Sequence, residues 1–269
     1  MLIDTHCHLD AGEFDTDRLA VSEQALAAGV RAIVIPAIER DNFSVVRALA
    51  HAIPGGCYAL GIHPLYVERA QESDLDLLRA EIEQSMNDPR FVAIGEVGLD
   101  FFVKEIASGP AREKQEHFYQ AQLRMAVDFG LPLLLHVRRS QDILLKYLRR
   151  LAHSPGGIAH AFNGSDQQAD AFVGLGFALG VGGAMTYERS LQIRRHAAGR
   201  PLSDLVLETD SPDIAPAWLQ GESRRNTPAQ VAGVARALAE LRNETVEHVT
   251  MQTGATAFRV LPRLGDYLR

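Results

Sequence analysis

Apolar residues in this chain gather in short continuous runs instead of alternating with polar ones: Leu2–Thr5, Ala32–Pro36, Tyr58–Ile62, Val92–Gly95, Pro132–Leu135, Ile158–Ala161, Ala178–Val181 and Leu205–Glu208. Runs of this length suit strands covered on both faces, as in a parallel sheet. Between them lie amphipathic stretches, Arg18–Ala28, Phe43–Ala52, Leu75–Met86, Arg112–Phe129, Gln141–Ala152 and Gln167–Leu175. Several stop at a glycine, the residue favoured just past a helix C-terminus. Strand then helix, with eight candidate strands, predicts an α/β fold closed into a single (β/α)₈ TIM barrel, the alternative being a doubly wound open sheet. Two C-terminal helices are predicted to follow, one near Thr227 with Pro228 in its first turn and one near Asn243. No linker interrupts the pattern, so one domain is expected over residues 1–269, an ordinary length for one barrel. The segment from Phe101 to Pro110 is the longest irregular piece before a helix and is a candidate lid or substrate wall.

The ends of these runs carry the chemistry. His6-Cys7-His8 closes the first strand, and period-two alternation puts both imidazoles on one face with Cys7 on the other. Glu96 ends the fourth strand, His136 the fifth, His160 the sixth, and Glu208-Thr209-Asp210 the eighth. Taken singly, each has an ordinary explanation: a satisfied core histidine, a Glu96–Arg138 ion pair, or a cap at Asp210. Together they set four histidines and two carboxylates on the C-terminal rim, where barrel enzymes build active sites. Burying those carboxylates with no cation is costly.

Six ligands exceed the needs of one open catalytic ion and suit two divalent cations bridged by a carboxylate. Glu96 is the expected bridge, with His6, His8 and Asp210 on one ion and His136 and His160 on the other. Imidazoles favour zinc, manganese, nickel or cobalt over magnesium, which prefers oxygen; the identity stays open among Zn, Mn, Mg, Ni and Co. Two carboxylates against two divalent ions leave the ligand set positive, which favours an anionic phosphate ester over a neutral amide. Asp210 is the expected proton acceptor for the attacking water, making Asp210 and Glu96 the catalytic candidates. Arg138 is a candidate phosphate grip beside its plainer reading as a rim ion pair. His63, in Gly61-Ile62-His63-Pro64, is expected beside the substrate without a metal bond. Arg225, in Arg224-Arg225-Asn226, either reaches a nucleotide backbone or forms a solvated charge pair.

Composition narrows the setting. With 46% hydrophobic and 23% charged residues, the chain reads as globular, and no apolar run approaches the ~20 residues of a membrane span. The start MLIDTHCHLD lacks the basic and apolar regions of a signal peptide, so a cytoplasmic location is expected. Cys7 and Cys57 are read as small buried hydrophobes, not a disulfide. A net charge of −7 argues against gripping long nucleic acid non-specifically, though not against holding one end of a strand.

These residues resemble the TatD family of metal-dependent deoxyribonucleases, within the amidohydrolase-like barrel superfamily. The resemblance covers nearly the whole chain and is carried by Asp4 through Leu9, Gly61 through Pro64, Ile94 through Asp100, Leu131-Pro132 with His136-Val137-Arg138, His160 through Ser165, and Leu207 through Pro212. Gly180-Val181-Gly182-Gly183 with Thr186-Tyr187 looks like the YjjV-like subgroup. The resemblance implies metal ligands at His6, His8, Glu96, His136, His160 and Asp210. It also implies hydrolysis of DNA, often as a 3′–5′ exonuclease; single-stranded DNA ends are the expected partner, and the oligomeric state stays open, a monomer being compatible. Ala161-Phe162-Asn163 departs from the family's Cys or Gly followed by Phe-Ser; it flanks His160 and bears on substrate preference. The rivals are an amidase or lactonase of the same superfamily and a non-enzymatic metal-binding protein. The former often bridges its ions with a carboxylated lysine, but Lys104, Lys114 and Lys146 end no strand.

Overall fold

In the computed structural model, which describes residues 1–221 and 224–268, eight parallel strands pair in chain order. They are β1 (Leu2–Asp4), β2 (Val30–Pro36), β3 (Gly56–Leu60), β4 (Phe91–Asp100), β5 (Leu133–Arg138), β6 (Gly157–Ala159), β7 (Phe177–Val181) and β8 (Leu205–Leu207). The last strand returns to the first: the Thr5 N–H donates to the Leu207 carbonyl at 3.0 Å, the Asp210 N–H to His6 at 2.8 Å, and the His8 N–H to Ser211 at 2.8 Å. The sheet is therefore a barrel and not the open alternative. No helix among the described residues is long and apolar enough to cross a membrane.

Side chains alternate between two apolar layers, which is why the runs read as continuous. Ile3, Val34, Ala59, Leu134, Ile158 and Val206 share the cluster inside the barrel, while Leu2, Ile35, Leu60, Leu133, Leu135 and Leu207 belong to the layer under the helices. The helices between strands are α1 (Arg18–Ala27), α2 (Phe43–Ala52), α3 (Glu72–Ser85), α4 (Gly109–Phe129), α5 (Gln141–Leu148), α6 (Asp166–Gly174) and α7 (Leu191–Gly199). The pattern did not predict α7: it is short and arginine-bearing, and it buries only His196 and Ala197. A 3₁₀ turn at Pro228–Gln230 opens α8 (Val231–Arg242), and α9 (Val246–Val260) follows with Thr245 capping the His248 N–H. A third closing helix, α10 (Pro262–Leu268), was not predicted either. Leu264 of α10 and Val260 of α9 pack on the interior layer, so their apolar partners are strands distant in sequence.

Strand β4 is the longest and its pairing with β5 is irregular between Ile94 and Val97, around Glu96. A side chain at Gly95 would meet the Leu134 Cβ at 2.5 Å, so only glycine lets the two strands approach there. Two buried glutamines of α4 secure the neighbouring strand ends. Gln122 accepts the Ile62 N–H at 2.7 Å and returns a bond to its carbonyl at 3.1 Å, while Gln115 accepts the Asp100 N–H at 3.0 Å.

The β1–β8 seam also rests on buried Asp4, whose carboxyl accepts the Thr209 N–H at 2.9 Å and the Thr209 hydroxyl at 2.6 Å. Replacing Asp4 by Ala would leave that N–H buried without an acceptor, at a cost of about 1–3 kcal/mol. A denaturation midpoint unchanged from wild type in Asp4→Ala would remove this seam role.

Candidate metal centre

The inward alternation that runs through Leu134, Ile158 and Val206 continues one step further to His136, His160 and Glu208, and so aims these side chains into the barrel mouth. Glu96 lies in the middle of this mouth, buried to 1% exposure. Its two oxygens face different neighbours. Oε2 lies 3.1 Å from His6 Nε2 and 3.2 Å from His8 Nε2, and those nitrogens are 3.6 and 3.7 Å from Asp210 Oδ1. Oε1 lies 2.8 Å from His136 Nδ1 and 3.4 Å from both His160 Nε2 and His63 Nε2. Ligands each ~2.0–2.2 Å from one ion stand roughly 3–3.6 Å apart, so both groups have the spacing of a coordination shell. Described side chains that could hold a metal fall into three overlapping groups: His6, His8 and Glu96; His6, His160 and Asp210; and His63, Glu96 and His136.

Proton accounting tests whether these residues fit a cation. His136 Nε2 stands 3.1 Å from Asp100 Oδ2, so a neutral ring spends its proton there and turns the Nδ1 lone pair toward Glu96 Oε1 at 2.8 Å. An imidazole lone pair facing a carboxylate oxygen at that distance is repulsive unless a cation or a second proton separates them. His6 Nε2 and His8 Nε2, 3.2 Å apart, converge on Glu96 Oε2, and His6 Nδ1 is buried without a hydrogen-bond partner among the described residues. The donor set therefore fits a metal ion.

His63 is different. The Leu65 backbone N–H donates to His63 Nδ1 at 3.1 Å, and because burial lowers the ring's pKa to about 4 it is neutral, with its single proton on Nε2. It lies within ligand distance of the group around Glu96 Oε1, yet it presents an N–H and not a lone pair.

Charge follows from the same neighbours. Burial alone would raise Glu96, but His63, His6 and His160 hold its carboxyl well below the usual range. Burial lowers His6 to about 3 and raises Asp210 to about 6. Against burial, the hydrogen bond from His136 holds Asp100 at about 2.

Asp100 and Glu208 were not singled out in the sequence as site residues. Asp100 stands behind His136. Glu208 stands behind His160, with Oε1 accepting the Ala161 N–H at 2.6 Å and lying 3.5 Å from His160 Nδ1. A side chain at Gly180 would meet Glu208 Oε2 at 2.1 Å, so the glycine leaves room for this carboxyl. Inward parity with Val206 was the available signal for Glu208, whereas Asp100 lies beyond the apolar run of the fourth strand and had no such signal.

Two arginines singled out in the sequence lie elsewhere around the mouth. Arg138 is half-exposed with its guanidinium 3.7 Å from Asp100 Oδ2. Arg225 is held by Asp17 through bonds of 2.9 and 2.6 Å and by the Glu13 carbonyl at 2.6 Å, so gripping a nucleotide requires that pair to open. The loop after β4, a candidate lid or substrate wall, is tied to its surroundings. Asp100 Oδ1 accepts the N–H groups of Phe102 and Val103 at 2.8 and 3.0 Å, and Gln115 donates to the Ile106 carbonyl at 2.8 Å.

A carboxylate behind a ligating histidine orients the ring, and its loss typically costs 10–100-fold in metal affinity. Glu208→Gln is expected to weaken metal binding by about that factor with an unchanged circular dichroism spectrum. Equal affinity in a competition titration with a chromophoric chelator would deny Glu208 this part.

The family model described as TatD related DNase matches residues 3–262. An Escherichia coli protein described as the uncharacterised metal-dependent hydrolase YjjV is 40% identical over 247 residues, covering 92% of each chain. The crystal structure of the YjjV TatD homologue from that species superposes with a TM-score of 0.88 at 38% identity, covering 97% of this chain and 98% of the other. A 3′–5′ ssDNA/RNA exonuclease TatD from Edwardsiella piscicida is 32% identical over 267 residues, covering 96% of this chain and 100% of the relative.

Proposed function

The chain belongs to the TatD-related DNase family of metal-dependent hydrolases, and from that premise we propose that it cleaves phosphodiester bonds of DNA, removing nucleotides from the 3′ end of single strands with two divalent cations. The observation that carries this reading is the division of Glu96, with one carboxylate oxygen among His6, His8 and Asp210 and the other against His136 and His160. Those six residues would hold the ions and Glu96 would bridge them. Bound there, the ions would supply a water acidic enough to attack at neutral pH and would offset charge developing on the phosphoryl oxygens.

The chain's own side chains do the rest. Asp210 Oδ1 faces the histidines, whereas Oδ2 accepts no hydrogen bond among the described residues, and a carboxyl near pH 6 can take the proton of the attacking water there. His63 directs its Nε2–H at His136 Nδ1, 3.0 Å away, and would be free to donate to a substrate oxygen where an ion takes that lone pair. Charge also guides substrate choice. Two divalent ions against Glu96 and Asp210 would leave the ligand set itself with two positive charges, with Asp100 and Glu208 standing behind the rings. Positive charge at the ligand set, with Arg138 beside it, favours an anionic ester over a neutral amide. The exonuclease named among the relatives, acting on ssDNA and RNA at 3′ ends, supports the same substrate class.

Chelation should abolish cleavage of end-labelled single-stranded oligonucleotides, and one or more of Mg, Mn, Zn, Co and Ni should restore it, with label position reporting polarity. Asp210→Asn is expected to lower kcat by at least about a hundredfold while keeping most of the metal, as loss of a proton acceptor would. Near-normal cleavage by that variant removes Asp210 from proton transfer. If no ion restores cleavage while a lactone or dipeptide panel is hydrolysed, the nuclease reading fails and the amidohydrolase one replaces it.

A further inference from the structure

We propose that Phe102, with Arg138 and Arg139, forms a nucleotide subsite at the barrel mouth, in which a base adjoining the cleaved phosphodiester stacks on this cluster while the arginines bond a neighbouring phosphate. It deepens the phosphodiesterase reading and rests on it. Phe102 is 44% exposed, whereas the preceding Phe101 packs against the core beneath Arg112, whose guanidinium stands 4.1 Å from its ring. The exposure is held in place. Phe102 and Val103 donate their N–H groups to Asp100 Oδ1, and Gln115 ties the loop at Asp100 and Ile106.

Two guanidiniums lie against this ring, that of Arg138 at 3.9 Å and that of Arg139 at 4.7 Å. Arg138 shares Asp100 at 3.7 Å, while Arg139 makes no hydrogen bond or ion pair among the described residues, so its N–H groups are available. Arg139 sits at φ 56°, a left-handed conformation that a non-glycine residue adopts at a cost. Short contacts connect the cluster to the metal centre, since the Asp100 that anchors Phe102 also contacts His136, which faces Glu96.

Exposed aromatic rings and guanidinium planes are the surfaces on which single-stranded bases stack, with little regard to sequence because every base has a π-face. Arginine N–H groups suit phosphate oxygens bidentately. A single cluster of this kind also suits a chain of net charge −7, which can hold a strand locally without a long basic groove.

Binding to the metal-loaded protein tests the proposal, using a dye-labelled, cleavage-resistant phosphorothioate oligothymidylate and the same strand carrying abasic sites near its 3′ end. Wild type is expected to prefer the thymidylate strand by roughly tenfold in Kd. Phe102→Ala should lose that preference and Phe102→Tyr should keep it. Arg139→Ala should weaken both strands alike and lower the salt slope by about one. Equal affinity of wild type for the two strands, binding to neither, or a preference that survives in Phe102→Ala overturns the subsite. Phe102→Ala should keep the wild-type metal content and circular dichroism spectrum, and loss of either would mark Phe102 as structural and overturn the subsite too. Failure of wild type to hydrolyse bis(p-nitrophenyl) phosphate with any of the metals strikes the phosphodiesterase reading separately, whichever strand binds.

Discussion

Glu96 is a carboxylate buried at the mouth of the barrel above an apolar interior layer, and the mouth is arranged around its charge. Moving an ion of that size out of water costs several kcal/mol even after relaxation, so the fold must surround it with compensating groups. It does so from five other strands. Histidines from β1, β3, β5 and β6 approach within 3.4 Å, and Asp210 closes the ring from beyond β8. Nitrogens of five imidazoles converge on the two oxygens of Glu96 at the spacing of coordination shells, an arrangement that suits a cation between them. Hydrolytic chemistry is thus a consequence of how the buried charge is neutralised.

That arrangement depends on the barrel closing in the right register. His6 and His8 belong to the first strand and Asp210 follows the last, and they meet only because the β1–β8 seam is bonded from Thr5 to Ser211. Asp4 and Thr209 reinforce the seam with a buried carboxyl and hydroxyl. Asn226 extends the same network, donating to the carbonyls of Thr209 and Asp213 at 2.8 and 2.9 Å and so fixing the turn that carries Asp210. Asp100 and Glu208 orient two of the rings from behind. The polar groups are connected to one another, which is the condition under which buried polar groups hold a single geometry.

Outside this shell the rim leaves aromatic and cationic side chains exposed. Exposed Phe102 sits on a loop whose backbone is tightly bonded and half-exposed Arg138 ends β5, so both are presented by a rigid support. Against the acidic balance of the whole chain, Arg138 and Arg139 set positive charge beside the mouth.

Short apolar runs and helical stretches, set by local periodicity, were enough to determine the barrel, and their polar endings at His6, His8, Glu96, His136, His160 and Asp210 were enough to mark the rim. Elements with little apolar periodicity of their own escaped, namely α7 with its arginines and α10 with its few interior contacts. The continuation of β4 through Asp100 was hidden too, because Glu96, Gly98 and Asp100 interrupt the apolar run that pairing with β5 nevertheless carries onward. Only tertiary structure decided which oxygen of Glu96 meets which histidine, that Leu65 fixes the proton of His63, and that Asp100 and Glu208 stand behind the rings. The physical reason is distance. Periodicity records which face a residue occupies on its own strand, whereas proton placement and charge compensation depend on atoms about 3 Å apart contributed by strands up to two hundred residues away.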